Sequence, residues 1–359
     1  MGSNPTLSAT AALQPSEPGN LEMTSIVSPS ITAIVCTCDR PVLLEQCLRA
    51  LSRQTYPRFD ILVVDNASAQ PVQDICLRWG ARWVLAPLRG VARARNVGAK
   101  LAQGEIIAYI DDDAVAEVGW LEALVEDFQD REVAAVSGGI RYMKAQGDSR
   151  TMSGDEATHS WVRARRKFDQ NTSDWFALAC FGGIGDGGNM AFRRELIVSL
   201  QSFDERLGRG RVLDGGEEHV LFASLIARGY RIAHNPAAIW RHPSPPTAEL
   251  QRARRFCDLR SSIAYLIFLW NEFPPYRGDI LRFLQRALVK RVTATHVQRT
   301  GTARLSRARA AKAVLDGCFV YAKARREWAA ARARSEEEAI GPPPNLIKPA
   351  SDTSHYAVE

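Results

Sequence analysis

Residues Gly90 to Val115 read GVARARNVGAKLAQGEIIAYIDDDAV. Val91 to Ala102 reads as a helix, and Ile106 to Ile110 as a compact apolar run of the kind that forms a buried parallel strand. The run stops at three consecutive carboxylates, Asp111, Asp112 and Asp113. Adjacent like charges repel and cost stability unless something positive binds beside them. A divalent cation held by oxygen ligands and shared with a diphosphate is the natural occupant. A solvated acidic turn or a helix cap would use the same residues.

The helix-then-strand unit repeats outward from this stretch. Upstream lie a strand at Ile31 (ITAIVCT), a helix from Pro41 to Gln54, a strand at Phe59 (FDILVVD) and a short strand from Trp83 to Leu85. The first helix sets Leu44, Cys47, Leu48 and Leu51 on one face. Downstream, Trp120 to Phe128 is helical. Strands alternating with helices predict an α/β fold built as a doubly wound sheet. Ligands of such sheets bind at the carboxyl ends of the strands, so Thr37 to Arg40, Asp65 to Ser68 and Asp111 to Asp113 fall on one rim.

From Arg141 to Phe181 the alternation is lost. A glycine-dense loop (Gly182 to Gly188), a strand (Asn189 to Phe192), a helix (Glu218 to Arg228) and a strand (Arg231 to Trp240) follow. Pro243, Pro245 and Pro246 punctuate the chain, and Leu250 to Ala333 reads as helices with a break at Pro274-Pro275. The expected organisation is a disordered tail (1–29), a main domain (30–246), a basic helical region (247–335) and a second disordered tail (336–359).

Two further clusters carry chemistry. Gly215-Gly216 allows a sharp turn into Glu217-Glu218, and helical spacing places Glu218 beside Leu221, Phe222 and Leu225. Desolvation there raises a carboxyl pKa, which suits a general base near neutral pH; acidic residues also favour a first helical turn through the dipole alone. His242 closes the strand AAIWRH, where it would complete a metal site of carboxylates or serve structure. GVARARNVG opens a helix with Arg93, Arg95 and Asn96, whose cationic side chains near the helix start would suit a diphosphate or simply face solvent on an exposed helix. His159-Ser160-Trp161 lacks a recognisable triad partner.

Composition narrows the classes. The 7 cysteines include no CxxC pair, which argues against zinc ribbons and disulfide scaffolds and fits a reducing cytoplasm. No apolar run reaches the roughly 18–20 residues that span a bilayer, and no signal-peptide pattern opens the chain. Met1-Gly2 with Thr6 formally fits a short myristoylation pattern. The net charge of +6 is concentrated between Arg252 and Arg334. Solvated helix faces explain it, as would contact with anionic phosphates at a membrane surface. No base-stacking aromatics line the rim, so a nucleic-acid partner is not expected.

Taken in order, AIVCTCDRP, ILVVDNAS, GVARARNVGAKLAQGEIIAYIDDDAV, GGNMAFRREL, FDERLGRG and GGEEHVLFASLIARGYRIAHNPAAIWRHP resemble the family-2 inverting glycosyltransferases of the GT-A fold. The resemblance covers about residues 31 to 245. It implies a GT-A mixed sheet flanked by helices, a helical C-terminal appendage, and transfer of a sugar from a nucleotide-diphosphate donor to a hydroxyl. Thr37, Asp39 and Arg40 match the loop that frames the nucleotide, Asp65 the base contact, and Arg95 an arginine near the diphosphate. Asp113 and His242 match the ligands of Mn²⁺ or Mg²⁺, and Asp112 a ribose contact, with Asp111 fitting either part. Gly188, Asn189 and Met190 match the floor of the sugar pocket, and Glu218, with Glu217 beside it, the base.

Two positions depart from the family. The usual Glu-Asp pair is Glu217-Glu218, and Cys38 stands where an aromatic commonly stacks on the nucleobase. A UDP-sugar donor is favoured, with GDP- or dTDP-sugars as alternatives; saccharide, lipid-linked or small-molecule acceptors all fit. The basic helices suit a lid over the acceptor, a homo-oligomer contact or peripheral membrane docking. A retaining enzyme on the same fold and a non-catalytic nucleotide-sugar-binding protein are the rival readings. Nucleotidyl transfer is weaker, because no glycine-rich phosphate loop follows the first strand.

Overall fold

The computed structural model describes residues 28–143, 164–200, 203–243, 248–293 and 305–334. Nearly all of the tail at 1–29, the segment at 336–359, Met1-Gly2 with Thr6, and His159-Ser160-Trp161 lie outside the described residues. In chain order the elements begin β1 (Ile31–Thr37), α1 (Pro41–Leu51), β2 (Phe59–Asp65), α2 (Gln73–Arg78), β3 (Arg82–Leu85). Next come α3 (Val91–Leu101), β4 (Ile106–Asp111), β5 (Val115–Ala116), α4 (Trp120–Glu126), β6 (Val133–Met143) and β7 (Arg166–Phe168). Then follow α5 (Trp175–Cys180), β8 (Asn189–Arg193), α6 (Arg194–Ser199), α7 (Glu217–Ala227) and β9 (Arg231–Pro243). Three long helices complete the order: α8 (Ala248–Glu272), α9 (Arg277–Thr293) and α10 (Arg307–Arg334).

The strands form one mixed sheet in the order β3-β2-β1-β4-β8-β6-β9-β5, with β7 paired to β9. β1, β2, β3 and β4 run parallel, whereas β8 is antiparallel to both β4 and β6. Register aligns Thr37 with Asp65 and Cys36 with Asp111, so the polar ends of β1, β2 and β4 meet on one rim.

Both faces of the central strands are buried, and alternate residues serve opposite cores. Ile34, Leu62, Val64, Ile107 and Tyr109 join the core made with α3, α5 and α7. Ala33, Val35, Ile61, Val63, Ala108 and Ile110 join the one made with α1 and α4. Leu44, Cys47, Leu48 and Leu51 of α1 are buried as the helical spacing requires, and Pro41 begins that helix where its missing N–H costs nothing. α7 is buried on nearly all sides, so Glu218 belongs to a central helix rather than to a surface helix with one apolar stripe.

Two differences from the expected elements have local causes. β6 runs through a stretch without a continuous strand signal in the sequence, because Gly138-Gly139 interrupts its β-pattern. Those glycines take up a register shift against β9. β9 continues past Trp240 to Pro243, and that extension carries His242. The expected helical break at Pro274-Pro275 is a short 3₁₀ turn, Pro274–Tyr276. Ala264, Phe268 and Leu269 of α8 share the core that contains Ile34 and Tyr109, so this helix is packed onto the sheet layer rather than hung from it. Among the described residues, no helix is long and apolar enough to cross a membrane.

Candidate active site

The rim opens into a cleft of about 770 Å³ bounded by the ends of β1 and β4, the starts of α3 and α7, the loop before β8 and one face of α8. The aspartate triplet lies on its floor and is split by its partners. Thr37 donates its hydroxyl proton to Asp112 Oδ2 at 2.8 Å. Arg40 Nη1 donates to Asp112 Oδ1 and Asp113 Oδ2, each at 3.1 Å. His242 Nε2 stands 3.4 Å from Asp113 Oδ1. Asp111 turns the other way, toward Arg95 Nη2 at 3.7 Å.

Arg95 is the buried cation of the cleft. Its Nη1 donates to Glu217 Oε1 at 2.7 Å and its Nη2 to the Gly187 carbonyl at 2.8 Å, while Tyr109 donates to the Arg95 carbonyl. Burial alone would lower its pKa, but Glu217 and Asp111 outweigh that and raise it, so the guanidinium stays charged. The carboxylates feel the same burial with the opposite consequence. Asp111 keeps 40% of its side chain open into the cleft. It lies deep enough, however, that desolvation, aided by Asp186, Asp113 and Asp112, pushes its pKa up to about 7. Glu217 is pushed up to about 7 by burial and then by Glu218. Burial followed by Asp186 raises Glu218, whose side chain is 14% exposed. Glu217 Oε2 and Glu218 Oε2 are both buried, and among the described residues neither has a hydrogen-bond partner. Buried carboxyl oxygens of this kind are poised to take a proton.

Gly188 forms the floor between these groups. A Cβ there would stand 2.4 Å from Asp111 Oδ2 and 2.8 Å from the Trp240 ring, so only glycine fits without displacing the aspartate.

Of the residues expected in the site, Thr37, Arg40, Arg95, Asp111, Asp112, Asp113, Gly188, Glu217, Glu218 and His242 line the cleft. Asp39, Asp65 and Asn189 are not in its wall. Asp39 takes a left-handed backbone (φ 57°) that returns its carboxylate to the Ala69 N–H and to Arg89. Asp65 is buried beneath the rim, accepting the Ser68 N–H. The Asn189 amide is consumed by the Gly139 and Ala238 carbonyls and the Trp120 indole N–H, and Met190 is packed in the core. Sequence reasoning missed Asp186, His219 and Tyr265, together with the α8 wall of Arg254, Asp258, Ser261 and Ser262. Asp186 was detectable as the one charged residue inside the glycine-dense loop. The α8 residues recur at helical spacing, but a single sequence does not say which element they face.

The donor chemistry suits a divalent cation. Among the described residues, no three His, Cys, Asp or Glu side chains converge as a complete metal-binding group. Two donors on one ion at roughly 2.0–2.2 Å stand about 3 Å apart. The Asp113–His242 separation of 3.4 Å is close to that. Carboxylates suit Mg²⁺ and Mn²⁺, and an imidazole suits the transition metals. The Arg40 guanidinium already supplies positive charge to Asp112 and Asp113.

The family model "Glycosyl transferase family 2" matches residues 32–200. That stretch, a little under half of the chain, is similar to glycosyl transferase family 2. It is 24% identical over 276 residues to the glucosyl-dolichyl phosphate glucuronosyltransferase of Haloferax volcanii, covering 70% of this chain and 78% of that protein. It is 23% identical over 236 residues to glycosyltransferase AglE of the same organism, covering 64% and 71%. Among solved structures, the mannosyltransferase PcManGT from Pyrobaculum calidifontis, in complex with GDP-Man and Mn²⁺, superposes with a TM-score of 0.50 at 20% identity. That superposition covers 87% of this chain and 82% of the other. S. aureus TarS 1–349 in complex with UDP superposes with a TM-score of 0.50 at 14% identity, covering 84% and 92%. These superpositions carry the GT-A fold. The protein is an enzyme that transfers sugars from nucleotide-sugar donors. Its family match ends before Glu217, Glu218 and His242.

Proposed function

We propose that the enzyme transfers a sugar from a nucleoside-diphosphate donor to an acceptor hydroxyl with inversion at the anomeric carbon, and that Glu218 is the general base. The supporting observation is that one cleft holds the Glu218 carboxylate on one side and the Asp113–His242 pair on the other, with Arg95 between them. Glu217 is committed to Arg95, whereas among the described residues no guanidinium lies within ion-pair distance of Glu218, which lines the cleft with its Oε1 3.8 Å from His219 Nε2. In the reaction the acceptor oxygen bonds to the anomeric carbon as the bond to the diphosphate oxygen breaks. The acceptor proton passes to Glu218.

Asp113 and His242 would hold a Mn²⁺ or Mg²⁺, which when bound offsets the negative charge growing on the leaving diphosphate. Arg95 stays charged at the same end. Asp112, fixed by Thr37, is assigned to the ribose, and Gly188 to the floor of the sugar pocket. Asp39 and Asp65, at the rim beside the cleft, are assigned to the nucleotide end of the donor, and Asn189 to the support of the pocket floor. The two nucleotide-bound structural neighbours carry GDP-Man and UDP, so both nucleotides belong in the first test. The name of the Haloferax relative, a glucosyl-dolichyl phosphate glucuronosyltransferase, makes a lipid-linked acceptor the first class to try.

The test is a panel of UDP- and GDP-sugars, with and without Mn²⁺, followed by thermal shift and by donor turnover. A metal-dependent stabilisation by one nucleotide, with turnover of its sugar, supports the proposal. Metal-dependent binding with neither transfer nor donor hydrolysis would make the chain a nucleotide-sugar-binding protein instead.

A further inference from the structure

Arg206 lies in the segment between α6 and α7 that runs under the Glu217-Glu218 turn. Its guanidinium is held on every side. Nε and Nη2 grip Asp204, the shortest contact being 2.7 Å, and Nη1 donates to Glu272 Oε2 at 2.9 Å. Phe268 of α8 and Trp328 of α10 cover it, with ring centroids 5.0 and 5.1 Å from Cζ. The two rings meet edge to face at 6.1 Å. An arginine that is both bidentate and stacked is a demanding arrangement that lysine does not reproduce.

What this clamp holds is the back of the candidate site. On one side, residues 203–210 are fastened to α3, the helix of Arg95. Asn96 donates to the Phe203 carbonyl, Arg93 pairs with Glu205 at 2.7 Å, and the Arg209 carbonyl accepts the Val91 N–H. Gly208 (φ +95°) lies flat against the base pair: a Cβ there would stand 3.0 Å from Glu217 Cδ. On the other side, the tie to α8 and α10 runs through Arg206. Residues 214–216 then emerge on the cleft wall directly before Glu217 and Glu218.

We propose that Arg206, clamped between Phe268 and Trp328, is a positioning residue that couples α10 to the Glu217-Glu218 turn. α10 begins more than 100 residues beyond the family-matched stretch, yet through Trp328 it sets where the base stands. This rests on the reading of Glu218 as the base. It assigns the C-terminal helices a part in the transfer step, separate from any contact with acceptor.

The experiment uses the full chain carrying Trp328→Ala, Trp328→Phe or Arg206→Lys. Three quantities are measured: turnover of whichever donor the native enzyme accepts from UDP-glucose, UDP-N-acetylglucosamine and GDP-mannose, the Kd of UDP with Mn²⁺, and deuterium uptake at 203–216. Trp328→Ala and Arg206→Lys are expected to lower kcat by about 10- to 100-fold, as small misplacements of catalytic groups do. UDP affinity should stay unchanged, uptake at 203–216 should rise, and Trp328→Phe should restore both because a ring still covers the guanidinium. A purely structural clamp would lower the melting temperature and leave kcat per folded molecule intact, and that result overturns the proposal. If the native enzyme turns over none of the donors, the functional reading fails on its own. Deuterium uptake then decides the coupling, and unchanged protection at 203–216 in Trp328→Ala overturns it.

Discussion

Arg95 Nη1 and Glu217 Oε1 are 2.7 Å apart, and neither side chain is more than 6% exposed. This buried pair joins the start of α3, on the donor rim, to the start of α7, where the proposed base lies. It also separates the roles of two adjacent glutamates. Removing one partner of a buried ion pair strands the other charge and costs about 3–5 kcal/mol. Glu217→Gln should therefore lower the melting temperature markedly. Glu218→Gln should spare stability and donor affinity while reducing turnover on the order of 10²–10⁴-fold. Calorimetry and steady-state kinetics on the two variants check both halves; the reverse pattern would make Glu217 the base.

Asp113 and His242 should govern metal dependence. A ligand that binds only the folded state stabilises it by about 2.7 kcal/mol at a hundredfold excess over Kd. The additional thermal shift that Mn²⁺ gives with UDP should be present in the native enzyme, absent in Asp113→Ala and displaced to higher Mn²⁺ in His242→Ala. An undiminished shift in Asp113→Ala would remove that residue from the metal site.

The raised carboxyl pKa values set the sign of the pH response. A base is active when ionised, and burial holds Glu217 up to about 7 with Glu218 raised beside it. Turnover should thus fall on the acid side of neutrality, with an apparent pKa that belongs to the coupled pair. Stability moves the opposite way. Between the ordinary value of 4.5 and about 7, Glu217 holds more proton in the folded than in the unfolded chain, so its contribution declines as pH rises through that window. A kcat profile flat from mildly acidic to mildly basic pH would contradict the assignment.

Gly188→Ala probes the floor of the cleft. Its methyl would meet Asp111 and Trp240, so donor affinity should weaken while the sheet remains folded. Titration calorimetry with UDP and Mn²⁺ measures this, and native affinity would show that Asp111 can move away at little cost.

The rim was legible because β1, β2 and β4 are compact apolar runs with polar ends, and parallel pairing must align those ends. The buried strand before Asp111 and the adjacent glutamates after Gly215-Gly216 are local signals of the same sort. Asn189 lies in a stretch that reads as a pocket floor, and its part in bridging β6 and β9 through the amide is a long-range contact the sequence does not reveal. The strand β6 escaped notice since Gly138-Gly139 reads as a turn until a partner strand absorbs the shift. The α8 wall and the Arg206 clamp depend on contacts between residues far apart in the chain, for which helical spacing carries no information.

Inversion at this cleft is tested most directly by following the first turnovers of a donor with an α-linked sugar by proton NMR, using whichever donor and acceptor support transfer. One direct displacement assisted by Glu218 gives a β-linked product from the earliest time point, in the native enzyme and, slowly, in Glu218→Gln. An α-linked product at the earliest time point would contradict the account and favour a retaining route on the same fold.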